Sequence, residues 1–535
     1  MAENNEVVFY FSPFTENFEN SGILLAFGFE DREDPVLTKY FPELESRRKL
    51  IDKRPVKDGV VVTLQSIARE NTMRQVGLIY LQYPWRKKKE IMMGGINFLR
   101  EVMCSVHLAV EKIKDEGHEK LFIMLPDIFS PRNIKDTEQK EHLYRFIKIV
   151  TEAIVYANKP YNDFKSATGS TIKEVVFMFS GESQKALDEF FKKAITNGEI
   201  MGRYAAKTRR LIETPPNLKT PISFVSDVLG KKITIRSSDS WRKIVISQHI
   251  TAHLLSGTRA LRLHDFELIN AVNAGSEHEP CLLRLHYKPK TNRQKRIRRV
   301  ILTGKGVIFD AGGYDLKGAG SYNNMHYDMS GAATVLSIPF LAQEFNIPVE
   351  IIAIVPVVQN MIGPKATLPH SIIRAYGGKT VEIVNTDAEG RLILAEAIAF
   401  GEKKFKPDAI ITVGTLCDSS DFGPDFLKVG IVGAENEKRV RIAEKRSAEK
   451  VFLLPSIEYF NKVDEMHVGL KADIINDLST SCHVAPFIFL HNFLGDKMSW
   501  IFVDNSALFE EDAKEYGVGP GFGVKFVWHL VKQFC

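Results

Sequence analysis

"TVEIVNTDAEGRLILAEAIAFGEKKF", residues 380–405, reads as three pieces. "TVEIVN" (380–385) is an apolar-rich stretch of strand length, "TDAEG" a polar turn, and "RLILAEAIAFGEKKF" (391–405) repeats apolar residues at helical spacing. A strand that turns directly into a helix is the building unit of an α/β sheet. The pattern extends both ways, through strand candidates "PCLLRLHY" (280–287), "RVILTGKG" (299–306), "VEIIAIVPVV" (349–358) and "DAIITVGTL" (408–416), with the helical stretch "GAATVLSIPFLAQEF" (331–345) among them. The first two hundred residues repeat it on a smaller scale, with strands "EVVFYF", "GILLAFGF", "QVGLIYLQY", "KLFIMLPD" and "EVVFMFSG" around helices such as 95–117. The fold class expected is α/β: a smaller N-terminal α/β domain, and a larger C-terminal α/β domain with a mixed central sheet. A helical stretch over 183–217, ending at Pro215 and Pro216, joins them, and the boundary is placed near residue 195, giving domains 1–195 and 196–535.

Composition narrows the class. Of 535 residues, 44% are apolar and 26% charged, enough for a large core and against disorder. The 71 basic and 66 acidic residues leave +5, too mild a balance to imply nucleic acid or an anionic membrane as partner. The run "KPKTNRQKRIRR" (288–299) lies between strand candidates and reads first as a solvated loop, second as a nucleic-acid patch. Five cysteines (Cys104, Cys281, Cys417, Cys482, Cys535), none in a CxxC pair, fit a reducing compartment and exclude a thiolate zinc site of the usual spacing. "MAENNEVVFYFSPF" (1–14) lacks the features of a secretory or transit segment, and no apolar stretch reaches the roughly 20 residues of a membrane span. The cytoplasm is the expected location.

Three segments gather carboxylates and lysines where strands end: "GKGVIFDAGGYDLKG" (304–318) with Lys305, Asp310 and Lys317; "MHYDMSGAA" (325–333) with Asp328; and the turn carrying Asp387, Glu389 and Arg391. Ligand sites of open α/β sheets form beyond the carboxyl ends of the strands. Four carboxylates brought together repel and raise one another's pKa, a cost that divalent cations remove; hard oxygen ligands suit zinc, manganese or magnesium. Asp387 and Glu389 are two apart, so in an extended stretch both point to one side and reach one centre. Each segment also has a purely structural reading. "TDAE" matches a capping box with Thr386 as N-cap and Glu389 reaching back; the glycine-bearing segment could be a turn with a surface lysine; Asp328 could be a helix N-terminal acid. Only the metal reading covers all three. There is no HExxH and no GxSxG.

Together the three segments resemble the leucyl aminopeptidases, a family of dinuclear metallopeptidases. "NTDAEGRLIL" matches that family's motif, "GKGVIFDAGGYDLK" its GKG-x-x-FD-x-GG-x-x-x-K, and "MHYDMSGAA" its M-x-x-DM-x-GAA. The resemblance covers much of 205–535, including "RRLIETPPN", "KADIIN" and "GPGFGVKFV". It implies a metal-dependent aminopeptidase acting on short peptides. Lys305, Asp310, Asp328 and Glu389 would ligate one ion; Asp310, Asp387 and Glu389 would ligate a second, exchangeable one. Lys305 would then be a neutral amine with a strongly lowered pKa, which burial beside two cations supplies. Lys317 would stabilise the oxyanion, and Arg391 would hold a bicarbonate acting as base toward a water bridging the two metals. Met325, Thr415 and Leu416 match positions lining the side-chain pocket. A homo-hexamer is also implied.

Some positions depart from the family. "QNMIGPKATLPHS" (359–371) looks more like the family's aminopeptidase-like branch than its main leucyl enzymes, and "WIFVDNSA" (500–507) stands where "WAHLDIAG" is usual. Cys417-Asp418-Ser419 stands where Thr-Gly-Ala is usual, so Asp418 is expected beside the substrate, where it would either favour a basic residue or amine or hinder binding. The alternative is a weak or inactive relative with a structural or binding role. That reading predicts loss of at least one of the seven chemical residues, and none is lost.

Overall fold

The computed structural model describes residues 7–13, 23–29, 60–69, 72–81, 96–126, 136–166, 170–179, 185–234, 239–290, 296–417, 426–455, 471–478, 484–509 and 521–535. The chain divides into two units, 1–206 and 207–535. The division falls inside a long helix, whereas the sequence placed the boundary near residue 195.

The first unit carries β1 (Val8–Pro13), β2 (Ile23–Phe29), β3 (Val60–Arg69), β4 (Thr72–Leu81), β5 (Lys120–Met124) and β6 (Glu174–Phe179), in the order β1-β6-β5-β2-β4-β3. All neighbours are parallel except β3 and β4. β3 is absent from the sequence's strand candidates because polar residues break up its apolar run; pairing with β4 along ten residues makes it a strand. Phe146 of helix α2 (Thr137–Ala157) meets Phe27 edge-on at 5.3 Å and stacks with Phe98 of α1 (Ile96–Asp115) at 6.3 Å, anchoring both helices to the sheet. Helix α3 (Lys185–Glu213) follows.

The second unit holds a ten-stranded mixed sheet. Its strands are β7 (Arg242–Val245), β8 (Ile250–Ser256), β9 (Cys281–Tyr287), β10 (Arg298–Gly304), β11 (Val307–Asp310), β12 (Val349–Asn360), β15 (Ala409–Gly414), β16 (Phe426–Val432), β17 (Lys450–Leu453) and β19 (Trp500–Asp504). Three further short strands, β13 (Ser371–Arg374), β14 (Thr380–Ile383) and β18 (Ile474–Ile475), form a separate sheet. The large sheet runs β17-β16-β19-β15-β10-β12-β9-β8-β7, with β11 beside the end of β12. Its centre, β19-β15-β10-β12, is parallel, so the carboxyl ends of these four strands emerge along one edge. Parallel strands are covered on both faces and read as continuous apolar runs. "AIITVG" of β15 is buried at every position, and α4 (Ser330–Glu344) and α5 (Glu389–Phe405) are largely buried too. The sheet flanks, β7–β8 and β16–β17, are among the strands that the sequence did not mark, as are the short β11 and the central β19. No helix among the described residues is long and apolar enough to cross a membrane.

Glu350 on β12 ties this order together. Its carboxylate accepts from His286 Nε2 on β9 at 2.7 Å and from Arg299 Nε on β10 at 2.9 Å. The His286 hydrogen bond, with help from Arg299, holds the carboxyl down at about 2 against the upward pull of burial. A depressed carboxyl pKa stabilises the fold above the unfolded-state value and is lost as pH falls toward the folded one. Glu350→Gln is therefore expected to cost about 1.5–3 kcal/mol near pH 7, as for hydrogen bonds to charged groups. The difference from wild type should shrink as pH falls below about 4.5. Urea unfolding from pH 7 down to 3 checks this; a difference that does not vary with pH would rule the linkage out.

Candidate metal centre

The parallel strand ends deliver the chemistry. Lys305 follows the last residue of β10, Asp310 is the last of β11, and Asp328 lies between the single turn Met325–Tyr327 and α4. Asp387 sits in the turn before α5, and Glu389 is that helix's first residue. Lys305 Nζ lies 2.8 Å from both Asp328 Oδ1 and Glu389 Oε1, and donates to the Thr415 carbonyl at 2.7 Å. Lys317 Nζ lies 2.8 Å from Asp310 Oδ2 and 2.6 Å from Asp387 Oδ1. One carboxylate oxygen each from Asp310, Asp387 and Glu389 falls within 4.8 Å of the others, an arrangement able to hold a metal ion. All six lysine and carboxylate side chains proposed from sequence thus meet at one place.

The charges there do not balance. Four carboxylates face two ammonium groups, and Asp328 Oδ2 is buried with no hydrogen-bond partner among the described residues. Burial, then Asp310 and Glu389, push the Asp387 carboxyl up to about 7 against the pull of Lys317. Burial also raises Asp328 and Glu389, more than their lysine partner can offset. Lys305 differs from the sequence expectation. Burial pulls its ammonium pKa down, but Asp328, Glu389 and Asp310 together raise it above the ordinary lysine value. Burial alone does not make it a neutral amine; that change requires cations to take over the carboxylates. The donor set fits them: hard oxygens, excess negative charge and an unused carboxylate oxygen.

The backbone around these groups explains the sequence. Gly312 and Gly313 adopt φ of +89° and +68°, which L side chains rarely take, and fold the loop so that Lys317 N–H donates to the Ala311 carbonyl. Gly390 leaves room for Lys305: a Cβ there would sit 2.5 Å from Lys305 Cε. The capping box is not formed. Helix α5 starts at Glu389 with Ala388 as N-cap and no side-chain cap. Thr386 Oγ1 instead donates to the Gly312 carbonyl at 2.6 Å and accepts from Asp315 N–H at 2.8 Å, while Glu389 turns to Lys305. Nor do Asp387 and Glu389 share a side by lying in an extended stretch. A turn and the first residue of a helix bring them together.

Four residues that the sequence did not single out complete the frame. Asn360, at the end of β12, donates to Asp310 Oδ1 at 2.8 Å and to the Thr386 carbonyl at 3.0 Å. Asp315 Oδ2 accepts Thr386 N–H at 2.6 Å. Asn476 Oδ1 accepts Val384 and Asn385 N–H, and Asp477 Oδ1 accepts from Arg391 Nη1 at 2.8 Å. The signal was present for two of them: Asn476 closes "KADIIN", and Asp315 stands two residues before Lys317. Arg391 lies in the first turn of α5. Its Nη1 also donates to the Asn476 carbonyl, and its buried Nε has no hydrogen-bond partner among the described residues.

Of the proposed pocket residues, Met325 and Leu416 are half-buried. Thr415 is buried, and its hydroxyl donates to Asp328 Oδ1 at 2.6 Å. Asp418 lies outside the described residues.

Residues 206–528 match the model of the cytosol aminopeptidase family, catalytic domain. A relative from Chloroherpeton thalassium, named a probable cytosol aminopeptidase, is 31% identical over 466 residues, 82% of this chain and 84% of its own. One of the same name from Cenarchaeum symbiosum is 30% identical over 393 residues, covering 72% and 75%. The fold is similar to a mutant of tomato leucine aminopeptidase, with TM-score 0.78, 20% identity and coverage of 100% of this chain and 98% of that one. It is also similar to the bottromycin maturation enzyme BotP in complex with Mn, with TM-score 0.72, 19% identity and coverage of 96% and 99%.

Proposed function

The chain belongs to the cytosol aminopeptidase family and is a peptidase by that membership, and from this premise we propose that it removes the N-terminal residue of short peptides at a two-cation centre. The observation that carries the reading is the excess of buried carboxylates over lysines at the strand ends. Lys305, Asp310, Asp328 and Glu389 would hold one divalent cation, and Asp310, Asp387 and Glu389 the other, zinc or manganese. When bound, such a pair acidifies a water between the ions and polarises the carbonyl under attack.

The chain's own side chains do the rest. Lys317, held beside Asp310 and Asp387 in the structure, would supply its ammonium to neutralise the oxyanion of the tetrahedral intermediate. Asn360 holds Asp310 and is itself tied to the Thr386 carbonyl, while the Thr386 hydroxyl fastens the turn that carries Asp387 to Gly312. Arg391, with its unpartnered Nε near the amino end of α5, would hold a bicarbonate, which supplies a base for water. Asp477 already neutralises part of that guanidinium, so the anion would bind weakly and reversibly.

The test is a metal-reconstituted assay over a panel of aminoacyl amides that includes basic residues. Release dependent on Mn²⁺ or Zn²⁺ is expected for at least one member. No metal-dependent release from any of them would refute the proposal.

A further inference from the structure

The segment Thr415–Cys417 faces the metal centre on one side and a buried polar cluster on the other. On the near side, Thr415 gives its hydroxyl to Asp328 and its carbonyl to Lys305. On the far side, Leu416 and Cys417 N–H donate to Ser506 Oγ at 3.1 and 3.3 Å, and the Cys417 carbonyl accepts from Lys428 Nζ at 3.0 Å. Lys428 on β16 stands directly opposite Asp504 on β19, with Nζ 3.4 Å from Asp504 Oδ2. Asp504 Oδ1 in turn accepts Ser506 N–H at 2.9 Å and the Ser506 hydroxyl. Asn505 N–H donates to the Gly414 carbonyl at 3.0 Å, fastening the same strand end. Lys428, Asp504 and Ser506 are all buried.

A buried ion pair is weak evidence for stability, since apolar replacements of similar volume are often as stable or more so. Lysine in particular is almost never fully buried without a partner. What this pair and its serine do is satisfy three backbone groups on two consecutive residues. Those residues continue directly into Thr415, which holds both Asp328 and Lys305. We infer that Lys428, with Asp504 and Ser506, is a positioning group: it holds the end of β15 so that Thr415 keeps Asp328 and Lys305 in register for cation binding. This rests on the two-cation reading above for its functional meaning, though not for its geometry.

The full chain is compared with Lys428→Met and Ser506→Ala by calorimetric Mn²⁺ titration and by amide hydrogen exchange of peptides spanning 411–417. Both variants should bind Mn²⁺ about 10–100-fold more weakly, the range for partners that orient metal ligands. Both should also exchange faster at Thr415–Cys417, with far-ultraviolet circular dichroism unchanged. Unchanged Mn²⁺ affinity and exchange in folded variants overturn the inference. Should Lys428→Met fail to fold, Ser506→Ala decides, because it alters no charge. Should the wild type bind neither Mn²⁺ nor Zn²⁺, the two-cation reading falls, and the exchange data alone decide whether the brace exists.

Discussion

Glu389→Ala lowers kcat/KM at least about 10³-fold and removes Mn²⁺-dependent stabilisation. Replacing a group that only orients a metal ligand costs 10–100-fold, and Glu389 is proposed to contact both ions itself. Its carboxylate is buried at the head of α5, 2.8 Å from Lys305 and within the cluster formed with Asp310 and Asp387. No neighbour can replace it: Gly390 has no side chain, and Asp328 is already committed to Lys305 and Thr415. The metal-free fold should survive, because Lys305 keeps Asp328 and because Glu389 is a carboxylate that burial and Asp310 push toward the neutral form. At 100 times its dissociation constant, Mn²⁺ should stabilise the wild type by about 2.7 kcal/mol and leave the variant where it was. Steady-state kinetics and urea unfolding with and without Mn²⁺ measure both effects. A variant that still gains stability from Mn²⁺ would show that the site assignment is wrong.

The centre was readable because its residues sit in short segments next to apolar strands, so both the chemistry and its place at the strand ends are local. "TDAE" shows the limit. A capping box and a ligand-bearing turn use the same residue types at the same spacing, and the choice is made by Asp315, 71 residues away, whose carboxylate takes the Thr386 N–H that Glu389 would accept and whose N–H occupies the Thr386 hydroxyl. Lys305 shows another limit. Its burial was foreseeable, but its protonation depends on three carboxylates, two of them from other segments, whose sum outweighs burial until cations intervene. β10, β12 and β15 were found because burial on both faces makes them nearly uniformly apolar, while the central β19 was not marked. β7, with alternating half-buried and exposed positions, and β16, with Lys428 in its middle, carry no such mark. Lys428 in particular reads as a surface residue until the fold sets Asp504 opposite it.

Lys317→Met should separate binding of the cations from the chemistry they support. In the structure, Lys317 is a counter-ion to Asp310 and Asp387, the oxygens that the exchangeable cation would need. Removing it relieves that competition and leaves four carboxylates against Lys305 alone. Mn²⁺ should then bind as tightly as in the wild type or more tightly. The catalytic step, by contrast, loses the cationic side chain proposed to meet the developing oxyanion once the carboxylates are occupied. Deleting one oxyanion donor costs about 10²–10³-fold in kcat, and a charged donor in a buried site belongs at the upper end. KM should change little, because the charge that Lys317 answers appears only on the way to the tetrahedral intermediate. The expected signature is therefore a low kcat with unimpaired metal affinity, the opposite of Glu389→Ala, which loses both. Parallel loss of metal affinity and kcat in Lys317→Met would instead mean that this lysine organises the carboxylates and takes no part in the reaction.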